Sequence, residues 1–539
     1  MSNRRRSYLV ISMFVAMLIL GGFIADDFTP HVDGFVQRQH SLVNYEYINR
    51  VLLNRYIPEL EAMIPSTLEN YPESSRAYGV FLQLPLVIIE DATGFTMLAY
   101  RVYQIRMYYS YTFFVFGLLC LYLMMKGLFQ SRLWSVIGVL FIYTFPLYFG
   151  SAFTNIKDLL FASLFMISSY FMMRLLKKHS AWNILLFAFF SAITTGIRII
   201  GILLPGAAIC MLLYEAVYRL LSAPKLAKPE QTKHMLQIIG LCAILYCMVL
   251  VALYIITPAA WTNPIRHFKN VFGFAADYKW DSALKYQGYL VKWEDIPWNY
   301  LLRMLRISIP WFVGINFLLG LVMIAKNVWF GQGFFRKVYD HRYIGLQAIL
   351  FLVPVSYQVL KHVKIYGGWR HMYFVYVPLV VVAVYGLMQI AAWLKRFKSP
   401  VLLNLAILCS ALSITLNGYH TAATHPYQDN SFNYPSVSLA SDYLVAGRSA
   451  IPDAAKYLLE QFPEKTLLTN YPKPYCAMLT EEENQRILIV TDEETPDFYF
   501  ETYRTKATFY PPKEGYIIYH NIVIDGYPIL TVYIRDGYQ

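Results

Sequence analysis

The chain has 539 residues, of which 57% are hydrophobic and only 15% charged. Soluble domains carry roughly 25% charged residues, so this composition excludes an ordinary soluble enzyme and predicts a polytopic membrane protein. The net charge of +12 is spread over short Lys and Arg clusters between apolar runs, which excludes a basic nucleic-acid-binding domain.

Several common site chemistries leave no signature in the sequence. The six cysteines are scattered, five of them within apolar runs, so they predict neither a disulfide framework nor a zinc site. The sequence contains no P-loop and no G-x-G-x-x-G, which argues against ATP-driven and metalloenzyme functions. A requirement for a divalent cation stays open.

A bilayer span needs about 20 mostly apolar residues. Eleven segments approach this length and are predicted to cross the membrane: Tyr8–Ala25, Tyr108–Met125, Trp134–Tyr148, Leu159–Met173, Trp182–Ile197, Ile199–Leu213, Leu236–Ile256, Ile307–Ala325, Ile344–Leu360, Met372–Trp393 and Val401–Leu416. The first follows Arg4-Arg5-Arg6 and is not followed by a small-x-small cleavage site. We therefore expect a retained signal-anchor.

Basic residues predict the orientation of these spans, because cytoplasmic loops are rich in Lys and Arg. If the N-terminus is cytoplasmic, every second loop should be basic, and five loops are, with clusters at 126–132, 174–178, 219–233, 326–342 and 395–398. An odd number of spans then places the C-terminus outside. The prediction is a multi-pass plasma-membrane protein with a cytoplasmic N-terminus and an extracytoplasmic C-terminal domain.

The first outer loop, residues 26–107, contains two segments that suit helices lying in the membrane interface. These are Tyr45–Tyr56 and Phe81–Ile89, and the second is too short to cross and ends at Glu90-Asp91. The alternative is that Phe81–Ile89 is a true span. That alternative would invert the topology of everything downstream.

After Leu416 the composition becomes polar, and residues 425–539 are predicted to form a small extracytoplasmic α/β domain after a transmembrane module of residues 1–424. A helix is expected behind Pro452, and strands are expected where β-rich runs flank a turn signal. The predicted elements are a helix at Asp453–Gln461, strands at Arg486–Val490, Tyr516–Ile524 and Ile529–Ile534, and a turn at Asp525-Gly526-Tyr527-Pro528.

Acidic residues and a histidine crowd at the start of the first outer loop, within a few residues of the membrane surface. They are Asp26, Asp27, His31 and Asp33. A carboxylate at a dry edge has a raised pKa and can serve as a general base, which makes Asp27 the first catalytic candidate. The alternative is that these are ordinary solvated acids at a helix end.

The loop between the ninth and tenth spans, residues 361–371, is cationic on the side where few cations are expected. Arg370 offers a planar fork for phosphate oxygens, and Lys361 and His371 add charge beside it. Tyr366 and Trp369 flank a Gly pair that permits close backbone approach to a ligand. A membrane-borne phosphate or diphosphate is the predicted ligand, and simple anchoring at lipid headgroups is the alternative.

The second outer loop adds Asn155, Lys157 and Asp158 before an apolar span. Asn155 and Asp158 could simply cap that helix, or Asp158 could be a second carboxylate facing Asp27 across a cavity. Arg198 is a lone charge between two spans and is either an interface anchor or a phosphate ligand.

These motifs together resemble the GT-C glycosyltransferases, particularly the protein O-mannosyltransferase and aminoarabinose transferase group. The similar segments, in order, are Asp27-Phe28-Thr29-Pro30-His31, Tyr78-Gly79-Val80-Phe81, Asn155-Ile156-Lys157-Asp158, Tyr366-Gly367-Gly368-Trp369-Arg370-His371, and His425-Pro426-Tyr427-Gln428 with Phe432-Asn433. The chain departs from the family pattern at Phe28, where a Glu is usual, and at Gly367, where an Asp is usual.

The resemblance implies an inverting glycosyltransferase that takes a sugar from a polyprenyl-phosphate donor on the outer face of the membrane. Asp27 would deprotonate the acceptor hydroxyl, with Asp158 and His31 as further catalytic candidates. The donor phosphate would meet Arg370 and His371, and also Lys361 or Arg198. The acceptor would be a protein, a lipid or a cell-wall glycan, and membrane lipids would surround the spans.

Two other functions are compatible with the sequence. A transporter or flippase of a lipid-linked sugar would also need outer-face cations, but the inverted repeats common in transporters are absent. A non-catalytic assembly protein would use the outer domain to bind a partner and would need no cavity near Asp27.

Overall fold

A computed structural model of the chain describes residues 3–222, 228–276, 282–329, 333–394, 400–443, 447–490, 494–503, 506 and 508–538. The α-helices in these ranges are α1 (Asn3–Ile24), α2 (Val32–Leu52), α3 (Pro58–Met63), α4 (Glu73–Arg76), α5 (Leu84–Ala92), α6 (Ala99–Phe129), α7 (Arg132–Tyr143), α8 (Pro146–Thr154), α9 (Asp158–Lys177), α10 (Ala181–Ile197), α11 (Leu203–Ser222), α12 (Lys228–Ile255), α13 (Pro264–Ala276), α14 (Tyr300–Ser308), α15 (Trp311–Trp329), α16 (Phe334–Asp340), α17 (Arg342–Leu360), α18 (Tyr376–Leu394), α19 (Pro400–Ala423), α20 (Ile451–Gln461) and α21 (Glu481–Gln485). Short 3₁₀ helices at Arg370–Val375 and Gln428–Asn430 lie at the site described below, and another at Ala25–Asp27 follows α1.

Eight helical segments in the described ranges are long and apolar enough to cross a membrane. They are Ser7–Asp27, Ala99–Phe129, Asp158–Lys177, Ile199–Ser222, Thr232–Ile255, Trp311–Trp329, Arg342–Leu360 and Arg370–Leu394. The pair α7 and α8 would make a ninth span if it is counted as one bent segment. The prediction of a polytopic α-helical membrane protein is confirmed.

All eleven predicted spans fall on helices, although fewer of them are full-length spans. The helix α10 has only 17 residues, and α19 has 24 residues but is not among the eight. The predicted span Trp134–Tyr148 is bent in the structure, because α7 and α8 meet at an angle of 65°. Pro146 lacks the N–H that would continue α7 and instead begins α8.

A second proline shifts another predicted span. The segment Ile307–Ala325 is interrupted at Ile309-Pro310, so α14 ends at Ser308 and the membrane helix α15 begins at Trp311. Pro310 fixes this boundary because a proline disfavours helical geometry in the residue before it.

Burial divides the membrane helices into central and peripheral ones. The most apolar windows of Asp158–Lys177 and Arg370–Leu394 are 89% and 83% buried, whereas those of Ser7–Asp27 and Trp311–Trp329 are each 22% buried. The helices α15 and α18 approach closely through Gly320 and Gly386, where a Cβ atom would overlap backbone atoms of the facing helix. Small residues serve this purpose in membrane helix packing.

Contacts between connecting loops occur within two groups of loops. At one end, the Lys177 ammonium donates to the carbonyl of Gly127, and Arg342 Nε donates to Glu215 Oε1 at 2.6 Å. At the other end, the backbone N–H of His31 donates to the carbonyl of Thr154 at 2.8 Å. Loops assigned to one side of the membrane therefore contact each other.

The helices of the first loop are not among the candidate membrane spans in the described ranges, because α2 has 21 residues but is not apolar enough and α5 has only nine. The predicted segment Tyr45–Tyr56 falls at the end of α2, and Phe81–Ile89 corresponds to a 3₁₀ turn followed by the nine-residue helix α5. Glu90 of α5 is buried and accepts from Arg106 of α6 at 2.5 Å and from Arg38 of α2 at 2.6 Å. This ion-pair network fixes α2 against the membrane helices.

The C-terminal region carries a small mixed sheet, as predicted. The strands of the described residues are a hairpin of β1 (Leu284–Tyr286) and β2 (Tyr289–Val291), and β3 (Leu467–Thr469), β4 (Ile487–Ile489), β5 (Phe498–Thr502), β6 (Tyr516–Ile524) and β7 (Tyr527–Arg535). The last five form one sheet in the order β4-β3-β5-β7-β6. The strands β3 and β5 were not predicted from the sequence, and α20 packs in the same region.

Candidate functional site

Arg370 is the centre of a buried charge cluster. Its Nη1 donates to Asp33 Oδ2 at 2.7 Å, and its Nε lies 3.7 Å from Asp158 Oδ2. His31 Nδ1 lies 3.4 Å from the same Nη1. One guanidinium is therefore held between two carboxylates, Asp33 from the first turn of α2 and Asp158 from the start of α9.

Asp158 is fully buried and has a second cationic partner. Arg198, at the end of α10, donates to Asp158 Oδ1 from Nε at 2.7 Å and also from Nη2. Asn155 Oδ1 accepts from the backbone N–H of Asp158 at 2.8 Å, so Asn155 performs the capping function that was considered for both residues. The Asp158 carboxylate is left for the two arginines, and it faces Asp33 across Arg370 rather than Asp27.

Lys157 lies next to this cluster and under an aromatic ring. Its Nζ is 3.4 Å from the centroid of the Tyr78 ring, which is close enough for a cation–π interaction. Tyr78 is positioned by its neighbour Gly79, whose N–H donates to the carbonyl of Gly196 at 2.8 Å. A Cβ at position 79 would lie 2.6 Å from that carbonyl oxygen, so the close approach requires glycine.

Electrostatics in the cluster are strongly perturbed. Burial alone would raise the pKa of the Asp33 carboxyl, but Arg370, His31 and Lys157 act in the opposite direction and the pKa lies well below its usual range. Burial and then Arg198 lower the pKa of the Lys157 ammonium to about 8, although Asp33 and Asp158 act in the opposite direction. With Lys157 protonated, three cations face two carboxylates, so the cluster carries an excess positive charge.

A cavity lined by both polar and apolar groups opens beside Arg370. Its volume is about 90 Å³. A single water needs on the order of 10–15 Å³ of such volume, so the cavity has room for a small polar ligand. Its walls come from the first loop, α8, α14, the loop before α18 and the segment after α19. The lining residues include His31, Ser151, Thr154, Asn155, Met304, Ser308, Gly367, Gly368, Trp369, Arg370, Tyr373, Asp429, Asn430, Ser431, Phe432 and Arg448.

The glycine pair before Arg370 shapes one wall of the cavity. Gly367 and Gly368 have φ angles of +67° and +70°, which L-residues with side chains rarely adopt. The resulting turn places Arg370 towards the cluster and Trp369, which is 1% exposed, against the cavity.

Asp429 is a partly buried carboxyl group at the cavity wall. Burial raises the pKa of Asp429 to about 6, against the opposite effect of hydrogen bonds from its own backbone, Asn430 and Thr154. Asn430 Nδ2 donates to Asp429 Oδ1 at 2.8 Å. Within the described ranges no Lys, Arg or His forms an ion pair with Asp429.

The predicted site residues in the late loop and second outer loop mostly converge. Tyr366 lies against Arg370, with the guanidinium carbon 5.1 Å from the ring centroid, and it packs edge-on to His371 at 4.8 Å. Lys361 is different, because it is exposed at the end of α17 and forms no ion pair with any residue that the structure describes.

The two aspartates directly after the first span lie outside the charge cluster. The side chain of Asp27 is 52% exposed, and its Oδ2 lies 2.8 Å from His425 Nε2. Asp27 does not line the cavity. Asp26 is exposed and lies 3.6 Å from Arg101. Of the four acidic and histidine candidates in the first loop, the structure brings His31 and Asp33 to Arg370.

Sequence reasoning missed part of the site. Asp429, Ser431 and Arg448 line the cavity but were not among the candidates. Asp429 and Ser431 lie between the two quoted parts of the motif at 425–433, and Arg448 lies beyond it, so the motif pointed to this segment but not to these residues. Their nearness to Arg370 depends on contacts between distant parts of the chain.

Metal ligation has no geometric support in the described part of the chain, where no three His, Cys, Asp or Glu side chains converge as ligands. The cations of the cluster are provided by side chains of the protein itself.

No family model and no curated protein matches the sequence. Among solved structures, the chain is similar to ArnT from Cupriavidus metallidurans in the apo state, with 13% identity, 98% of each chain covered and a TM-score of 0.46. It is also similar to ArnT from Cupriavidus metallidurans bound to undecaprenyl phosphate, with 12% identity, 97% of each chain covered and a TM-score of 0.42. At this distance the likeness assigns neither residue roles nor a substrate to the chain.

Proposed function

We propose that this protein is an inverting glycosyltransferase that moves a sugar from a polyprenyl-phosphate donor to an acceptor hydroxyl on the outer face of the membrane. The observation that carries the proposal is the position of Arg370. It lies between Asp33 and Asp158, beside a cavity lined by both polar and apolar groups, at the ends of apolar helices. A lipid-linked anion and a hydroxyl-bearing acceptor can both reach such a place.

The cationic groups of the cluster fit a phosphate ligand. Arg370 and Arg198 supply planar guanidinium forks, and Lys157 supplies a point charge beside them. The excess positive charge favours a bound anion, and the same cations stabilise the phosphate as it leaves the sugar. His371 lies next to these three cations. Lys361 could bind the phosphate of the sugar donor only if its loop rearranges.

Asp33 is the general base in this proposal. Its carboxylate accepts the proton of the acceptor hydroxyl, the hydroxyl oxygen bonds to the anomeric carbon from the side opposite the phosphate, and the carbon–phosphate oxygen bond breaks with its electron pair on the phosphate. In the absence of donor, Arg370 holds the pKa of Asp33 low. A donor phosphate that competes for Arg370 weakens this effect, so Asp33 becomes a better base when substrate is bound.

Asp27 remains the alternative base, as the sequence predicted. It is exposed, paired with His425 and separate from the cavity walls, so it could act only on an acceptor that approaches outside the cavity. Asp158 is held by two arginines and fits a supporting role in placing them.

The orientation and domain limits belong to the same proposal. The two groups of loops, one basic and one carrying the cluster, support a cytoplasmic N-terminus and an extracytoplasmic site. Residues 1–424 would form the catalytic module and residues 425–539 the outer domain. Labelling of single introduced cysteines from outside intact cells tests this orientation: a cysteine in β6 should react, and one in α16 should not.

The decisive experiment is mass spectrometry of products formed by the purified protein. It would be offered polyprenyl-phosphate sugars with extracts of protein, lipid and cell-wall glycan from its own envelope, with and without EDTA. A sugar transferred to a hydroxyl with inverted anomeric configuration supports the proposal. Movement of an unaltered lipid-linked sugar across reconstituted vesicles, with no product, would instead support a transporter or flippase.

A further inference from the structure

We propose that the cavity wall formed by Trp369, Asp429 and Ser431 is the subsite for the transferred sugar, and that Asp429 selects a neutral sugar over an acidic one. This inference rests on the proposed function, because it assumes that the phosphate of the donor binds at Arg370. It adds a specificity-determining residue that lies outside the sequence motifs.

The first evidence is a pair of buried polar atoms without partners. Trp369 is 1% exposed and Ser431 is 6% exposed, yet among the residues that the structure describes neither the Trp369 Nε1 nor the Ser431 Oγ has a hydrogen-bond partner. Both residues line the same cavity. Buried polar groups are nearly always hydrogen-bonded, and leaving one unpaired destabilises the folded state. A ligand that offers both an acceptor and a donor would satisfy the two atoms.

The second evidence is the Asp429 carboxyl group. When ionised it only accepts hydrogen bonds, and Asn430 supplies one of them. No ion pair within the described ranges neutralises it. Its remaining acceptor capacity at the cavity wall fits the hydroxyl groups of a sugar ring, which donate readily.

The position of the cavity connects these groups to the donor. Arg370 lines the cavity and also belongs to the charge cluster. The transferred sugar is bonded directly to the donor phosphate, so it must occupy the space next to the phosphate ligand. The cavity provides that space, and the indole of Trp369 gives it the aromatic wall common in ligand sites.

Charge sets the preference. A sugar that carries its own carboxylate would place a second negative charge beside Asp429, and like charges in a poorly solvated cavity repel each other. Arg448 also lines the cavity and is the residue that could reverse this preference by attracting an acidic sugar. The test therefore includes both residues.

The experiment measures binding of three ligands to the full-length protein in detergent or nanodiscs. The ligands are polyprenyl phosphate, polyprenyl-phosphate glucose and polyprenyl-phosphate glucuronic acid. Wild type should bind the glucose donor more tightly than the glucuronic acid donor. Asp429→Asn keeps the size of the side chain, and it should weaken binding of the glucose donor by about 10- to 100-fold, as expected for loss of hydrogen bonds to a charged group. Binding of polyprenyl phosphate alone should stay unchanged.

Two further variants separate the sugar subsite from the other cavity residues. Ser431→Ala should weaken only the two sugar-bearing ligands, and Arg448→Met should leave the preference for the neutral donor in place. The inference is overturned if Asp429→Asn weakens all three ligands equally, if it changes none of them, or if Arg448→Met alone alters the preference. These measurements report binding, so a failure to detect sugar transfer would overturn the proposed function and leave the sugar subsite standing.

Discussion

Arg370 and Asp33 are separated by 337 positions in the chain, yet Arg370 Nη1 donates to Asp33 Oδ2 at 2.7 Å. This pair joins the loop after the first span to the loop before a late one. In the proposed function it places the general base and the ligand of the donor phosphate within one hydrogen bond of each other, which is the arrangement that a base-assisted transfer from a phosphate donor needs.

The first prediction separates the two candidate bases. Asp33→Asn should lower kcat by about 10²- to 10⁴-fold, because it removes the general base while keeping the shape of the side chain. Asp27→Asn should change kcat by less than about fivefold, because Asp27 lies outside the cavity and does not contact Arg370 within the described residues. Steady-state rates with a polyprenyl-phosphate sugar and parallel binding of polyprenyl phosphate provide the measurement. The opposite pattern would return the catalytic role to Asp27.

The second prediction concerns pH and Lys157. The pKa of Lys157 lies at about 8, so the ammonium loses its proton as the pH rises through this value. Binding of polyprenyl phosphate should therefore weaken by about tenfold or more between roughly pH 7 and pH 9.5, as one charge-assisted hydrogen bond is lost. Lys157→Arg stays charged and should flatten the profile.

Lys361 provides the matched control for this prediction. It is a lysine in the late outer loop but is exposed and outside the cluster. Lys361→Met should leave both the affinity and its pH dependence unchanged. An equal loss of affinity in Lys361→Met would show that the phosphate binds elsewhere in the loop.

The third prediction tests the close approach of α15 and α18. A Cβ at Gly386 would overlap the backbone of Asn316 and Gly320, so Gly386→Ala should reduce the free energy of unfolding by about 1–3 kcal/mol through overpacking. Thermal unfolding in a fixed detergent measures it. Gly345→Ala in α17, where a Cβ meets nothing within 4 Å, should leave stability unchanged or slightly higher. Equal effects of the two substitutions would contradict the packing model.

The fourth prediction concerns Glu90, the buried acid that joins α2, α5 and α6. Removing its charge leaves Arg106, which is 1% exposed, without a counter-charge. Glu90→Gln should therefore destabilise the protein by about 3–5 kcal/mol. Glu59→Gln, at an exposed position, should be neutral. Limited proteolysis of the first loop, with unfolding measured alongside, would detect the loosening. Resistance equal to wild type would rule out this role for Glu90.

Hydropathy alone predicted where the membrane helices lie, because a long apolar run has few other stable conformations in a membrane protein. It did not predict how they break. The run Trp134–Tyr148 is continuous in hydropathy but divides where Pro146 begins α8. The short strands β3 and β5 were also missed, since three to five residues carry too little alternation to stand out from a loop.

The sequence predicted which residue types the candidate site contains better than it predicted which of those residues contact each other. The motif around Arg370 and the pair Lys157-Asp158 were found because cations and acids stand out beside apolar spans. Asp27 was preferred to Asp33 because it directly follows the first span. The structure instead brings Asp33 to Arg370, through the hydrogen bond between the His31 N–H and the Thr154 carbonyl. Such a long-range contact has no local signal in a single sequence.

The ring of Tyr78 covers one side of the Lys157 ammonium, and Gly79 fixes that ring by its backbone contact with Gly196. In the proposed function, a donor phosphate cannot approach the ammonium through the ring. It would reach the lysine only from the flank shared with Arg198 and Arg370, so the ring makes its approach directional.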